Sequence, residues 1–180
     1  LGQMDLNVNS PIVWEFYEDT LRKLAGYGAQ LIRLDAFAYA SKKPGARNFL
    51  NDPETWDILS RIRTLAGKYN LAILPEIHSS YEEKTHEALC ATGCMTYDFF
   101  FPGLLLDAFE HQSFEYLLFW INEILTQKLK VVNMLGCHDG IPLLDLKGLL
   151  PEERIMEMVE ILKNRGVLVK DLHGFLCMYF

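Results

Sequence analysis

Three short apolar runs in this chain each end in ionisable side chains: Leu31-Ile-Arg-Leu-Asp35-Ala-Phe-Ala-Tyr39, Leu71-Ala-Ile-Leu-Pro-Glu76-Ile-His78 and Val131-Val-Asn-Met-Leu-Gly-Cys-His138-Asp139-Gly140. Runs of strand length that finish in charged groups, with helical stretches between them, are how a parallel α/β sheet carries chemistry at the carboxyl ends of its strands. Asp35, Glu76 and Asp139 are accordingly the candidate catalytic acids.

The intervening segments fit that frame. From Pro11 to Ala25 the apolar residues Val13, Phe16, Tyr17, Leu21 and Leu24 recur at helical spacing, after Ser10 as cap and before Gly26 and Gly28. A strand is expected from Ala29 to Asp35, then a polar loop from Ala40 to Pro53. A helix near Glu54–Tyr69 follows, with Trp56, Leu59, Ile62 and Leu65 as its apolar stripe. Next come a strand over Leu71–Glu76, a helix over Tyr81–Thr92 and a strand near Met95–Phe99. Helices between Pro102 and Lys128, a strand over Lys130–Leu135 and a helix from Pro151 to about Lys163 complete the order. No convincing eighth strand is expected after that last helix.

Four alternations of strand and helix imply right-handed crossovers, in a barrel or an open doubly wound sheet. Four strands cannot close an eight-stranded barrel, which takes about 250 residues. The polar opening after Leu1, which is not an initiator Met, is also what a fragment would show. We therefore expect one unit, residues 1–180, which is part of a barrel if the fold is a barrel and otherwise an open doubly wound sheet.

Composition excludes several functions. With 17 basic residues, 24 acidic ones and a net charge of −7, the chain lacks the concentrated basic surface needed to displace counterions from a nucleic acid. Its apolar runs are broken by charges well before bilayer-spanning length, so no membrane role is expected. The cysteines, Cys90, Cys94, Cys137 and Cys177, have no zinc spacing. Cys90 and Cys94 are expected to pack in a reduced, cytoplasmic protein. No metal, nucleotide or flavin motif is present, and no cofactor is expected.

Arg33 and Asp35, two apart on a strand, leave the same face, where the guanidinium favours the ionised carboxylate. An ordinary ion pair at a strand end explains the same spacing. Glu76 ends a hydrophobic strand after Pro75, and apolar walls there would favour the protonated form wanted of a general acid. A solvated strand-end carboxylate is the alternative for Glu76. His78 is placed to share its face and hydrogen-bond a ligand, although for this residue alone a satisfied structural histidine is the stronger reading. His138 and Asp139 beside Gly140 form a pair able to grip hydroxyl groups, with a simple Asp-Gly turn as the alternative for Asp139.

Together, Arg33-Leu-Asp35-Ala, Leu74-Pro-Glu76 and Cys137-His138-Asp139-Gly140 resemble the nucleophile, acid/base and transition-state-stabilising motifs of the retaining α-amylase superfamily. Gln3-Met-Asp-Leu-Asn7, Pro75-Glu-Ile-His78, Tyr97-Asp-Phe-Phe-Phe-Pro102, Met134–Leu149 and Val169-Lys-Asp-Leu-His-Gly174 narrow the resemblance to its sucrose phosphorylase branch, especially the sucrose 6'-phosphate members. The resemblance implies a (β/α)8 barrel fold, of which this chain would cover roughly strands four to seven.

It also implies double displacement with sucrose or sucrose 6'-phosphate and inorganic phosphate as partners, giving α-glucose 1-phosphate. Asp35 would be the nucleophile, Glu76 the acid/base and Asp139 the stabilising acid. Arg33, Tyr39, His78 and His138 would bind substrate. Lys42, Lys43 and Arg47 are candidates to meet a sugar phosphate, or else a solvated loop. A hydrolase or transglycosylase would use the same three acids, and an inert barrel fragment is the non-catalytic alternative. Which acceptor sugar is used, and the oligomeric state, stay open.

Overall fold

In a computed structural model, residues 5–172 and 175–179 are described, and they divide into two compact units, up to Ile77 and from His78 onward. In the first unit, helix α1 (Pro11–Gly26) starts with Pro11 at its first position, where no N–H is required, and buries Trp14 and Leu21. The Trp14 indole N–H donates to the Val8 carbonyl at 2.7 Å, and the Arg61 guanidinium lies 3.9 Å from its ring centroid. Strand β1 (Leu31–Leu34), helix α2 (Glu54–Gly67) and strand β2 (Ala72–Pro75) follow. The two strands are parallel, with Arg33 opposite Leu74 and Leu34 opposite Pro75.

The buried face of α2 is Thr55, Leu59, Ile62 and Ala66. Trp56 and Leu65, expected in that stripe, are only half-buried. Small side chains at both ends of the contact face let the helix pack closely, and the bulkier pair is turned toward its rim.

The second unit opens with a 3₁₀ turn, Tyr81–Glu83, and helix α3 (Thr85–Ala91). The single helix expected over Tyr81–Thr92 is thus interrupted. Glu83 Oε2 accepts the Ser80 N–H at 3.1 Å, and Lys84 takes a left-handed conformation with φ 55°. Strand β3 (Thr96–Asp98), helices α4 (Phe101–His111) and α5 (Glu115–Gln127), and strand β4 (Val131–Asn133) come next, β3 and β4 being parallel. The buried Asp98 carboxylate joins them: it accepts from Trp120 Nε1 at 3.0 Å, Asn133 Nδ2 at 2.9 Å and the Phe101 N–H at 2.9 Å. Desolvation pushes the Asp98 carboxyl above its ordinary value, and these donors oppose the rise.

Beyond β4 lie strand β5 (Ile141–Pro142), a 3₁₀ turn at Leu143–Leu146 and helix α6 (Glu152–Asn164). The core gathers Leu104, Trp120, Leu143, Leu146, Ile155 and Met158. Arg154 grips Asp107 with two nitrogens, at 2.6 and 3.0 Å, tying α6 to α4.

After α6 the chain forms strands β6 (Leu168–Leu172) and β7 (Phe175–Tyr179), which the reading of the sequence passed over. They are antiparallel in the order β5-β7-β6. These strands follow a helix, so a search for parallel runs ending in charge passes them over; Leu-Val-Lys-Asp-Leu alternates and belongs to a hairpin. Gln3 and Met4, and His173 and Gly174, which form parts of two quoted motifs, lie outside the described residues. No helix is long and apolar enough to cross a membrane among the described residues.

Two side chains set testable stability terms. Gly148 has φ +83°, and a Cβ built on it would sit 2.8 Å from Glu82 Cβ, in a segment where the Glu82 N–H donates to the Lys147 carbonyl at 3.2 Å. Gly148→Ala is expected to cost about 1–3 kcal/mol in chemical denaturation, from positive φ and collision together.

His86 is buried among Tyr81, Phe100 and Trp120, and neither ring nitrogen has a hydrogen-bond partner. Desolvation lowers its pKa to about 4, against a raising influence from Glu87. Between about pH 4 and 6.5 the unfolded chain therefore binds the extra proton, so this residue's contribution is present above that window and lost as pH falls. His86→Phe should gain about 2 kcal/mol relative to the wild type between pH 7 and pH 5. Thermal melts at the two pH values check it.

Candidate active site

β1 and β2 run parallel and in register, so their carboxyl ends lie side by side and bring together groups 43 residues apart in sequence. One terminal nitrogen of Arg33 pairs with Asp35 Oδ1, and the other donates to Glu76 Oε1 at 2.6 Å. The second Glu76 oxygen accepts the Ala36 N–H at 2.9 Å, and the Glu76 carbonyl accepts the Phe37 N–H at 3.0 Å. Ala36 has φ 44°, which turns the chain just past Asp35 and aims its N–H back at Glu76. The environments of the two acids differ. The Asp35 side chain is 75 % exposed and that of Glu76 10 %.

Glu76 is buried rather than solvated, and its carboxylate meets a guanidinium and a peptide N–H besides apolar neighbours. Both carboxyls thus flank one guanidinium, which holds the two acids near each other at the strand ends. Tyr39 ends a 3₁₀ turn (Phe37–Tyr39) and is partly exposed, its ring edge-on to Phe49 at 5.2 Å and below the Lys42 ammonium at 5.5 Å. Lys42 also pairs with Asp5 at 3.3 Å, Lys43 with Glu54 at 2.8 Å, and Arg47 lies over Phe49 at 4.8 Å. These cations thus have local partners.

In the second unit, His78 Nδ1 lies 3.1 Å from Asp145 Oδ2, and its ring stacks on Phe99 at 3.8 Å. His138 is exposed and Asp139 half-buried in a tight turn closed by reciprocal backbone hydrogen bonds between Cys137 and Gly140, with His138 Nε2 3.3 Å from Asp139 Oδ2. Cys137, His138 and Asp139 place one possible ligand atom each within 4.8 Å of one another, close enough to hold a cation; their adjacency in the turn accounts for that proximity. Cys94 is buried and Cys90 half-buried, with its thiol pushed up by burial.

Sequence reasoning passed over Asp98 and Asp145. Both are acids flanked by apolar residues, Tyr97-Asp-Phe and Leu144-Asp-Leu, and a carboxylate in such a run must find donors on folding.

Comparison with known proteins places these motifs in context. No family model matches the chain. It is 53 % identical to a sucrose 6(F)-phosphate phosphorylase of Ilumatobacter coccineus, covering 97 % of this chain and 34 % of that protein. To the sucrose 6(F)-phosphate phosphorylase of Thermoanaerobacterium thermosaccharolyticum it is 33 % identical, covering 96 % and 34 %. The crystal structure of sucrose 6F-phosphate phosphorylase from Thermoanaerobacter thermosaccharolyticum superimposes with a TM-score of 0.85 at 29 % identity, over 99 % of this chain and 38 % of that one. The chain spans about a third of the length of the curated relatives it matches. Both of these curated relatives are sucrose 6(F)-phosphate phosphorylases, the branch that the motifs resemble, and the mixed α/β fold of this chain matches that of the solved sucrose 6F-phosphate phosphorylase over this segment.

Proposed function

We propose that this chain is the central part of a retaining glucosyl phosphorylase, which cleaves sucrose 6(F)-phosphate or sucrose with inorganic phosphate to release α-glucose 1-phosphate. Strands β1, β2, β3 and β4 would be strands four to seven of a (β/α)8 barrel, with residues 1–180 forming one piece of that catalytic domain. The observation that carries the reading is Arg33 holding Asp35 and Glu76 at the ends of two adjacent parallel strands. A cytoplasmic location fits the phosphate-dependent chemistry and the uncrosslinked Cys90 and Cys94.

In the first step an Asp35 oxygen attacks the anomeric carbon from the face opposite the fructosyl group. The bond from that carbon to the fructosyl oxygen breaks, and Glu76 supplies the proton that this oxygen takes up. In the second, a phosphate oxygen attacks the same carbon from the vacated side, its proton passes to Glu76, and Asp35 leaves with its electron pair. Two inversions give net retention. Asp35 is the more exposed acid, as a nucleophile that must touch carbon has to be. Glu76, held on both oxygens, keeps a fixed position for proton transfer. Asp139 and His138 would stabilise the charge developing on the sugar, with Arg33, Tyr39 and His78 as further substrate contacts. The reaction as written uses no cofactor.

A hydrolase shares the first step and differs only in the acceptor. The full-length protein incubated with sucrose 6'-phosphate and phosphate is expected to accumulate α-glucose 1-phosphate in proportion to phosphate added. Release of free glucose at a rate indifferent to phosphate would contradict the proposal.

A further inference from the structure

Asp145 is 1 % exposed, between Leu144 and Leu146, in the 3₁₀ turn after β5. A carboxylate so placed is costly unless a donor meets it. The group that meets it is His78: Nδ1 lies 3.1 Å from Oδ2, while Phe99 covers one face of the imidazole at 3.8 Å and an interplanar angle of 28°. A stacked ring with one nitrogen tied to a buried acid has lost both its rotation and its choice of tautomer. The turn carrying Asp145 is itself fixed, because the Lys147 carbonyl accepts the Glu82 N–H and Gly148 lies against the backbone of Glu82.

We propose that Asp145 is the positioning residue for His78, accepting its Nδ1–H, holding the imidazole in that tautomer against Phe99, and thereby fixing Nε2 as the nitrogen that contacts the sugar or phosphate. The identity of that ligand rests on the phosphorylase reading above; the tautomer and its dependence on Asp145 do not. Burial lifts the Asp145 carboxyl to about 6, with the His78 hydrogen bond opposing the rise, so at pH 8 the acid is ionised and acts as acceptor only. An imidazole without such a partner is free to carry its proton on either nitrogen, and a hydroxyl or phosphate oxygen would then meet a mixture of donor and acceptor.

Nitrogen-15 spectra of the histidines in the full chain at pH 8, with His78 assigned by its loss in H78Q, read the tautomer directly. The wild type is expected to show His78 with Nδ1 protonated, and Asp145→Asn to shift it toward Nε2 protonated. A His78 protonated on Nε2 in the wild type overturns the proposal, and this holds even where D145N fails to fold. An unchanged tautomer in a D145N chain whose near-ultraviolet circular dichroism is native overturns it as well. Kinetics supply a readout that a merely structural role would not move. In the full-length protein D145N should lower kcat/KM for phosphorolysis about tenfold, the loss of one oriented hydrogen bond, but less than twofold in the H78Q background. Equal losses in both backgrounds would assign Asp145 to stability alone. If the tautomer behaves as stated and no glucose 1-phosphate forms, the phosphorylase reading fails and the positioning of His78 stands.

Discussion

Asp35→Asn in the full-length protein is expected to lower phosphorolysis of sucrose 6'-phosphate by at least about 10⁴-fold, because the amide cannot form the glucosyl bond that divides the reaction into two steps. The exposed position of Asp35 makes the test clean. Its carboxylate pairs with Arg33 near the surface, so the change to Asn preserves volume and leaves no unpaired buried acid. Unfolding midpoints should move by less than about 1 kcal/mol, the range of exposed ion pairs. Rate and stability therefore separate. In the truncated variant Asp35→Ala, a small azide or formate ion, entering where the carboxylate stood, should restore turnover with an activated glucosyl donor and give the product of opposite anomeric configuration. Retained activity in Asp35→Asn would remove the nucleophile from the proposal.

Glu76→Gln is expected to cost about 10²–10⁴ in kcat/KM for sucrose 6'-phosphate, the usual contribution of a positioned acid/base group. The cost depends on the leaving group. Glucosyl fluoride needs no protonation to depart, so its first step should be nearly unaffected and the glucosyl-enzyme should accumulate when the acceptor needs a base. Unlike Asp35, Glu76 is buried and holds Arg33 Nη2 and the Ala36 N–H. Glutamine can accept only one of these bonds well, so a loss of about 1–2 kcal/mol in stability should accompany the kinetic effect. Equal losses with activated and natural donors would mean that Glu76 supports the geometry of the strand ends without transferring a proton.

Much of this site is legible from local rules. Strand periodicity puts Arg33 and Asp35 on one face, and the two do pair. That the same guanidinium also reaches Glu76 follows from the register of β1 against β2, which no local pattern encodes. His78 likewise finds its partner 67 residues away, at an acid whose surroundings read simply as apolar loop. For the fold, β1, β2 and β4 announce themselves because each lies in an apolar run that ends in charged groups. The buried face of α2 is misjudged by one position since burial there follows close packing rather than side-chain size, favouring Thr55 and Ala66 over Trp56 and Leu65. The break at Lys84 is hidden because a lysine carries no intrinsic preference for positive φ; the turn at Ser80–Glu83 imposes it. Strands β6 and β7 escape because they pair antiparallel with each other and only β7 joins a further strand, the two-residue β5.

The most direct test of the central claim is peptide mapping by mass spectrometry after reaction with a 2-deoxy-2-fluoroglucosyl donor, whose glucosyl-enzyme forms faster than it breaks down. The account predicts one added fluoroglucosyl group per chain, on Asp35, released by phosphate as the α-configured product. A label on Glu76 or Asp139, or a β-configured product formed without any label, would contradict it.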